Sequence, residues 1–340
     1  MNSASSRQGT TPARFFDRVW YEGHPALAAL LPLALLYGAV ARGRRALYLS
    51  GFLSRHRPEV PVIVVGNLTV GGTGKTPLTI WLANFLRAEL GYRPGIVARG
   101  YRGRARYWPQ QARGDSDPDT VGDEAVIVAR RTGCPIAVGP DRVAAVDALL
   151  QYSDCDVVIS DDGMQHYPLA GDVEIAVVDG VRRFGNGFCL PAGPLREPAS
   201  RLAAADLVVT NGIAGRGEFA MRYVPRGLLP VGGGALVPLD ELMPRRIHAV
   251  AGIGHPARFF SMLKGLGFDV IPHPFDDHHR FVKGDFRFAD GLPIVMTEKD
   301  AVKCEALKLE NAFSIPIDAE LPDVFAIRLK QLMRGLERRA

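Results

Sequence analysis

The sequence predicts an α/β protein: a parallel sheet covered on both faces by helices, a second and smaller α/β unit, and an apolar helix before both. Three observations predict it. Short Val/Ile-rich runs alternate with helical segments from Pro58 onward, which is the pattern of strands buried on both sides. A second, smaller strand–helix series begins near Arg246, after a Gly- and Pro-rich stretch. Ahead of everything, Pro25 to Ala41 reads PALAALLPLALLYGAVA, with no charge.

The first series supplies its elements in order. Residues 60–67 (VPVIVVGN) read as a buried strand and Lys75–Leu90 as a helix ending before Gly91. PGIVAR (94–99) follows as a strand, 122–131 as a helix, PIAVG (135–139) as a strand and 141–152 as a helix. DVVIS (156–160), EIAVVD (174–179) and DLVVT (206–210) complete the strands. The segment 215–238 reads as a linker or irregular connection. RIHAVAGI (246–253) and PIVMT (293–297) are strands of the second unit, which closes on a helix near 320–338. The expected division is 1–57 for an N-terminal helical segment, 58–225 for the larger domain and 226–340 for the smaller one.

A chain of 340 residues exceeds a usual single domain, and 47% apolar with 23% charged residues is ordinary globular composition. The four cysteines, Cys134, Cys155, Cys189 and Cys304, are far apart and form no C-x-x-C pair, which excludes a zinc ribbon and fits a reducing compartment. The net charge of +5 is matched by one stretch, 42–57, where Arg42, Arg44, Arg45, Arg55 and Arg57 occur with no Asp or Glu. Such a block attracts nucleic acid, anionic headgroups or a phosphorylated substrate.

The apolar run upstream separates these partners. It falls short of the roughly 20 residues that a spanning helix needs, and Pro32 and Gly38 are expected to interrupt it. A signal peptide explains Arg7, Arg14, Arg18 and the Ala39-Val40-Ala41 end, a core helix explains only the apolarity, and an interfacial anchor explains both run and arginines. The anchor is preferred, with a lipid surface as partner and no nucleic acid. Triphosphate chemistry, argued next, belongs in the cytosol and removes the signal peptide.

Thr69-Val70-Gly71-Gly72-Thr73-Gly74-Lys75-Thr76 lies between a predicted strand and a predicted helix. Amides of such a turn wrap phosphate oxygens, Lys75 adds a point charge and the Thr76 hydroxyl can ligate Mg²⁺. Thr69 stands where the first Gly is usual. Asp161-Asp162-Gly163 follows a strand directly, at the edge where ligands bind in open α/β sheets, and beside a phosphate loop it fits Mg²⁺. Alone, that tripeptide reads as a turn. Gly122-Asp123-Glu124 reads as a helix start with an N-cap and first-turn acids. His273, Asp276, Asp277, His278 and His279 are compatible with a metal site or with acid–base work. Pro194-Leu-Arg-Glu197 reads as an ordinary loop unless its Arg holds a phosphate.

Taken in order, VGNLTVGGTGKTP, RGYRG, GDE, DDGMQH, PAGPLRE, DDHHRF and MTEKDAVK resemble the tetraacyldisaccharide 4′-kinases of lipid A biosynthesis, from about residue 14 to the last helix. The resemblance implies ATP and Mg²⁺, transfer of the γ-phosphoryl to the 4′-hydroxyl of a tetraacylated glucosamine disaccharide 1-phosphate, and a shallow anchor at the cytoplasmic face of the bacterial inner membrane. It implies Asp123 as the base, in place of an N-cap, with His278 of the second domain orienting it. It further implies Asp161 and Asp162 at Mg²⁺ and the phosphates, Lys75 and Arg196 among the catalytic groups, and Arg196 with Glu197 closing on the nucleotide or substrate side. Gln165, His166, Glu124 and Glu197 line the pocket, and Tyr101 and Arg142 stand near the cleft; Met164, where the family has an aromatic, is expected to pack only. Three rivals are weaker. A partition ATPase needs Lys where Val70 stands, and a GTPase needs the Lys of Thr297-Glu-Lys-Asp300 one place earlier. A P-loop adaptor without turnover leaves the many charged loop residues without a purpose.

Overall fold

The structure, a computed structural model, describes residues 12–337; Arg7 and position 338 of the expected last helix lie outside them. The strands are β1 (Val62–Gly66), β2 (Pro94–Ala98), β3 (Gln110–Ala112), β4 (Ile136–Val138), β5 (Val157–Asp161), β6 (Val173–Asp179), β7 (Leu207–Asn211), β8 (Phe219–Pro225), β9 (Leu229–Pro230), β10 (Arg246–Ala251), β11 (Asp269–Pro274), β12 (Ile294–Thr297), β13 (Ala312–Ile315) and β14 (Ile317–Glu320). The helices are α1 (Pro12–Asp17), α2 (Ala26–Leu49), α3 (Lys75–Leu90), α4 (Pro118–Val121), α5 (Asp123–Thr132), α6 (Arg142–Tyr152), α7 (Pro256–Gly265), α8 (Glu298–Cys304) and α9 (Asp323–Glu337).

Two sheets organise these elements. The larger runs β14-β8-β7-β6-β1-β5-β2-β4-β3 and the smaller β11-β10-β12-β13-β9. At the centre of the larger sheet β1 pairs in parallel with β5 and β6. Its VIVVG run is buried throughout because it feeds two cores. Ile63 and Val65 join Leu78, Leu82 and Leu86 of α3 on one face, and Val62 and Val64 join Ala145, Val146 and Leu149 of α6 on the other. Each such leucine contributes about 1.5–3 kcal/mol by leaving water. Local chemistry marks the helix ends. Gly91 takes φ +72° and its N–H closes α3 on Leu86 O, while Asp141 caps α6 through the amides of Val143 and Ala144.

Three expectations need correction. The segment 215–238 is no linker, since it holds β8 and β9. β8 is drawn into the sheet by β7 on one side and by β14, nearly a hundred residues on, at the other. Pro32 and Gly38 do not interrupt the apolar helix, and α2 continues through both, for 24 residues, into the arginines. Proline bends a helix that has good formers on either side more readily than it ends it, and Gly38 lies where α2 touches the body, 3.4 Å from Cys189 Sγ measured from an added Cβ. The last unit, finally, does not run from 226 to the end. β14 pairs with β8, and Phe325, Leu329 and Met333 of α9 are buried in the core of the larger sheet. A strand edge and an apolar helix stripe find their cover there, whatever their place in the chain.

Candidate active site

β1 and β5 are neighbours in register, Val65 opposite Asp161, so the glycine-rich loop and the acid pair leave the sheet at the same edge. Two glycines make that edge possible. A Cβ on Gly66, the last residue of β1, would lie 2.5 Å from Met164 Cγ, so this glycine lets the Asp161–Met164 turn close over the strand. Gly74 has φ +101°, and a Cβ there would collide with Tyr223 Oη. The loop is held from one side by Pro194–Glu197: Val70 N–H donates to Pro194 O at 2.9 Å and Arg196 N–H to Leu68 O at 2.7 Å. The ordinary-loop reading of PAGPLRE therefore gives way to that of a brace, and it delivers Arg196 to the site.

Arg196 Nη1 lies 3.1 and 3.2 Å from the two carboxylate oxygens of Asp162, and Lys75 Nζ lies 3.4 Å from Oδ1. Burial raises the Asp162 pKa, but Lys75 and then Arg196 outweigh it and hold the carboxyl below its ordinary range. Asp161 is different. It accepts a hydrogen bond from Thr79 Oγ1 at 3.1 Å, and burial, with Glu124 nearby, pushes it up to about 6. Thr73 Oγ1 is buried with no hydrogen-bond partner inside the loop.

The second wall of the site comes from the smaller sheet. His278, in the left-handed region at φ +64°, is fixed by its N–H on Gly252 O. Its Nδ1 stands 3.5 Å from Asp123 Oδ2, both side chains being about nine-tenths buried. Gly122, φ +94°, occupies the N-cap, and Asp123 Oδ1 accepts from the next amide, Glu124 N–H at 2.9 Å. Burial opposes the Asp123 charge, and the His278 hydrogen bond followed by Lys299 overcomes that and lowers its pKa. Lys299 Nζ reaches Glu124 Oε1 at 3.3 Å, and the Tyr101 ring lies 5.6 Å from that of His278. At the far end of the cleft Arg258 forms two 2.7 Å bonds to Asp179.

Other predicted residues stand behind this wall. Gln165 Nε2 donates to Asn67 O at 3.1 Å and to Glu197 Oε2 at 3.2 Å, and Tyr167 Oη also bonds Glu197, which is buried. Arg142 is buried under the acid pair, donating to Asp161 O at 3.2 Å and Asp162 O at 3.4 Å, so it props the backbone and presents no charge to the cleft. His166 Nε2 accepts from Arg142 N–H, and burial with Arg142 nearby lowers its pKa to about 4, which leaves a neutral ring. The histidine cluster is taken apart: His273 faces His248 at 2.9 Å, His279 faces Asp285 at 3.0 Å, and His278 alone turns to Asp123. Asp300 of the TEKD run is spent on Gly252 N–H, Thr297 and Lys303. Sequence reading assigned no role to Asn67, which accepts from Lys75 Nζ at 3.0 Å, nor to Thr79, Lys299 and the Asp179–Arg258 pair. Asn67 and Lys299 sit inside runs already singled out, and that was the one available signal.

The oxygen donors fit a hard cation. Among the described residues no group of three or more His, Cys, Asp or Glu gathers as a metal site. The loop offers the Thr76 hydroxyl and the edge offers the buried Asp161 with Asp162. One or two carboxylates completed by phosphate oxygens and water is how Mg²⁺ is usually held.

A turn shaped for phosphates on one wall and a histidine-paired carboxylate on the other define the class, a P-loop kinase. Residues 26–334 match the family model described as tetraacyldisaccharide-1-P 4′-kinase. The tetraacyldisaccharide 4′-kinase of Nitrosococcus oceani is 54% identical over 317 residues, spanning 93% of this chain and 94% of that one. That of Alkalilimnicola ehrlichii is 56% identical over 292 residues, 86% and 88% of the two chains. The crystal structure of LpxK from Aquifex aeolicus in complex with ATP superposes with a TM-score of 0.77 at 29% identity, covering 90% of this chain and 99% of that one. The chain belongs to the tetraacyldisaccharide-1-P 4′-kinase family, and it is a kinase.

Proposed function

We propose that the chain phosphorylates the 4′-hydroxyl of a tetraacylated glucosamine disaccharide 1-phosphate, giving lipid IVA. Asp123 takes the hydroxyl proton, the freed oxygen forms its bond to the γ-phosphorus of ATP, the bond from that phosphorus to the bridging oxygen breaks, and ADP leaves. His278 holds the Asp123 carboxylate in place and favours its charged form. Lys75 and Arg196 supply positive charge for the phosphoryl oxygens, and residues 69–76 wrap the phosphates. Thr76, Asp161 and Asp162 would hold Mg²⁺, which would supply further positive charge beside the phosphates. Tyr101 and Glu124 border the acceptor side, while Gln165, His166, Arg142 and Glu197 hold the acid-pair loop in shape. The observation that carries this reading is the buried Asp123–His278 pair, Asp123 from the start of α5 and His278 from the loop that follows β11. A base completed only when the two walls meet limits turnover against water.

We place the reaction at the cytoplasmic face of the bacterial inner membrane. Leu35, Leu36 and Val40 of α2 are exposed, with Arg42, Arg44 and Arg45 following on the same helix, as an anchor at headgroup level requires.

The test uses labelled ATP and the glycolipid in detergent micelles, at saturating ATP and Mg²⁺. Asp123→Ala and His278→Ala should each lower kcat by roughly 10²–10⁴-fold with nucleotide affinity retained. The double variant should be little worse than Asp123→Ala, because groups acting as a unit are non-additive. His279→Ala, whose native ring is engaged by Asp285, is the control. Fully additive losses, or a larger defect for His279→Ala than for His278→Ala, would sink the dyad.

A further inference from the structure

We propose that Lys299 is a positioning residue for the base: its ammonium, fixed to the same backbone node as His278, holds Asp123 and Glu124 as carboxylates from across the cleft. The proposal rests on the reading of Asp123 as the group that takes the hydroxyl proton. The node is Gly252. Its carbonyl holds the His278 N–H at 3.1 Å, and its N–H is held at 2.9 Å by Oδ2 of Asp300, the residue after Lys299. Lys299 and His278 are therefore presented to α5 by one rigid segment.

The sequence sets Lys299 against local electrostatics. It is the second residue of α8, and the helix dipole disfavours a cation in the first turn while favouring acids such as its neighbours Glu298 and Asp300. Both neighbours are otherwise engaged. Glu298 pairs with Arg131 at 2.9 Å, and the fully buried Asp300 bonds Thr297 and Lys303 besides Gly252. Lys299 turns to the start of α5, where its Nζ meets Glu124 Oε1 at 3.3 Å with the lysine side chain 20% exposed. An ammonium so far buried, and placed against a dipole, stays charged only where acidic partners outweigh both penalties. They do so here. Burial lowers the Lys299 pKa, but Glu124, then Asp123 and Asp277, more than reverse that.

The charges around Asp123 show why the base needs it. Glu124 follows on the same helix, with Asp161 of β5 within reach of its charge, and Asp277 lies 3.6 Å from His278 Nε2. Asp119 of α4 is turned to Arg280. Against these acids stand His278, Lys299 and Lys303, and Lys303 is committed to Asp300 at 2.7 Å and to His279 O. Without Lys299, His278 alone would balance Asp123, Glu124 and Asp277. Crowded, buried acids favour a bound proton, and a protonated Asp123 cannot take one from the sugar hydroxyl.

The full chain is compared with Lys299→Met, Lys299→Arg and Glu124→Gln by kcat for the micellar disaccharide from pH 8 down to about pH 5. Each rate is divided by that of the unmodified chain at the same pH, which cancels the titration of ATP. For Lys299→Met the ratio should fall by roughly 3–10-fold over that range, since a nearby opposite charge holds a carboxyl down by about 1–3 pH units. Lys299→Arg, which keeps the charge, should hold the ratio level. Glu124→Gln removes an acid and should not lower it. Lys299→Gln reads the same ratio if the methionine variant is unstable. A ratio independent of pH for the uncharged variants overturns the proposal and leaves Lys299 a packing contact. So does a fall with Glu124→Gln that matches the one with Lys299→Met. Asp123→Ala separates the two readings: if it keeps the native rate, the base assignment fails and the role of Lys299 with it. If it loses the rate while the Lys299→Met ratio stays level, only the role of Lys299 fails.

Discussion

His166 and Gly66 do their work one layer behind the reacting groups. The His166 ring is neutral in the fold, with its pKa lowered from 6.5 to about 4 by burial and then by Arg142. In the unfolded chain the same ring binds a proton near 6.5, so between these values the unfolded state holds more protons. Stability contributed by the neutral ring is full above about 6.5 and is lost as the pH falls toward 4. The difference is worth up to about 3 kcal/mol. His166→Gln, which keeps an acceptor for the Arg142 amide, should flatten the fall of Tm between pH 7 and pH 4; an unchanged slope would show that another group carries it. Gly66 acts through space. Gly66→Ala forces Met164 and the acid pair away from β1, an overpacking cost of roughly 1–3 kcal/mol, and kcat should fall with Tm. Adding Met164→Ala opens that space, so the double variant should regain activity over Gly66→Ala, measured by initial rates.

At the scale of elements, α2 and the Pro194–Glu197 brace show how one segment serves two neighbours. Ala34 and Gly38, four residues apart, are the buried positions of α2, and the remaining faces carry exposed leucines. The helix is docked by a narrow small-residue stripe and leaves most of its apolar surface exposed. Leu35→Glu with Leu36→Glu should therefore weaken partitioning onto inner-membrane vesicles by roughly 100-fold or more, since each buried leucine contributes roughly 1.5–3 kcal/mol. The Tm in detergent should move by less than about 0.5 kcal/mol-equivalent, as for exposed sites. Retained sedimentation after a salt wash would place the lipid contact elsewhere. The brace carries a different lesson: its residues were legible as a set, but only the backbone bonds of Val70 and Arg196 show that it fixes the phosphate loop.

Across the whole molecule the chain leaves the larger sheet after β8, builds the smaller one and returns through β14 and α9. The smaller sheet is thereby tethered at both ends, and the cleft is crossed by Asp123–His278, Glu124–Lys299 and Asp179–Arg258. Phe325 anchors the return, fully buried against Trp81 and Phe219. Phe325→Ala should cost about 3–5 kcal/mol and lower the midpoint of urea unfolding for the larger sheet, followed by the fluorescence of Trp81. A loss confined to the smaller unit would contradict the shared core.

The sequence by itself determined the strand–helix alternation, the phosphate loop, the acid pair and the family motifs, because each is set by neighbours within a few residues. Periodicity, capping and glycine placement are local physics, and α3 from Lys75 to Leu90 is legible to its last residue for that reason. Only the tertiary structure decided that His273 and His279 turn to His248 and Asp285, that β8 has a strand partner near the C-terminus, and that Arg142 lies under the acid pair instead of in the cleft. Those outcomes depend on side chains and strand edges brought together from far apart in the chain, and a hydrogen bond or a packing contact leaves no period in the sequence of either partner.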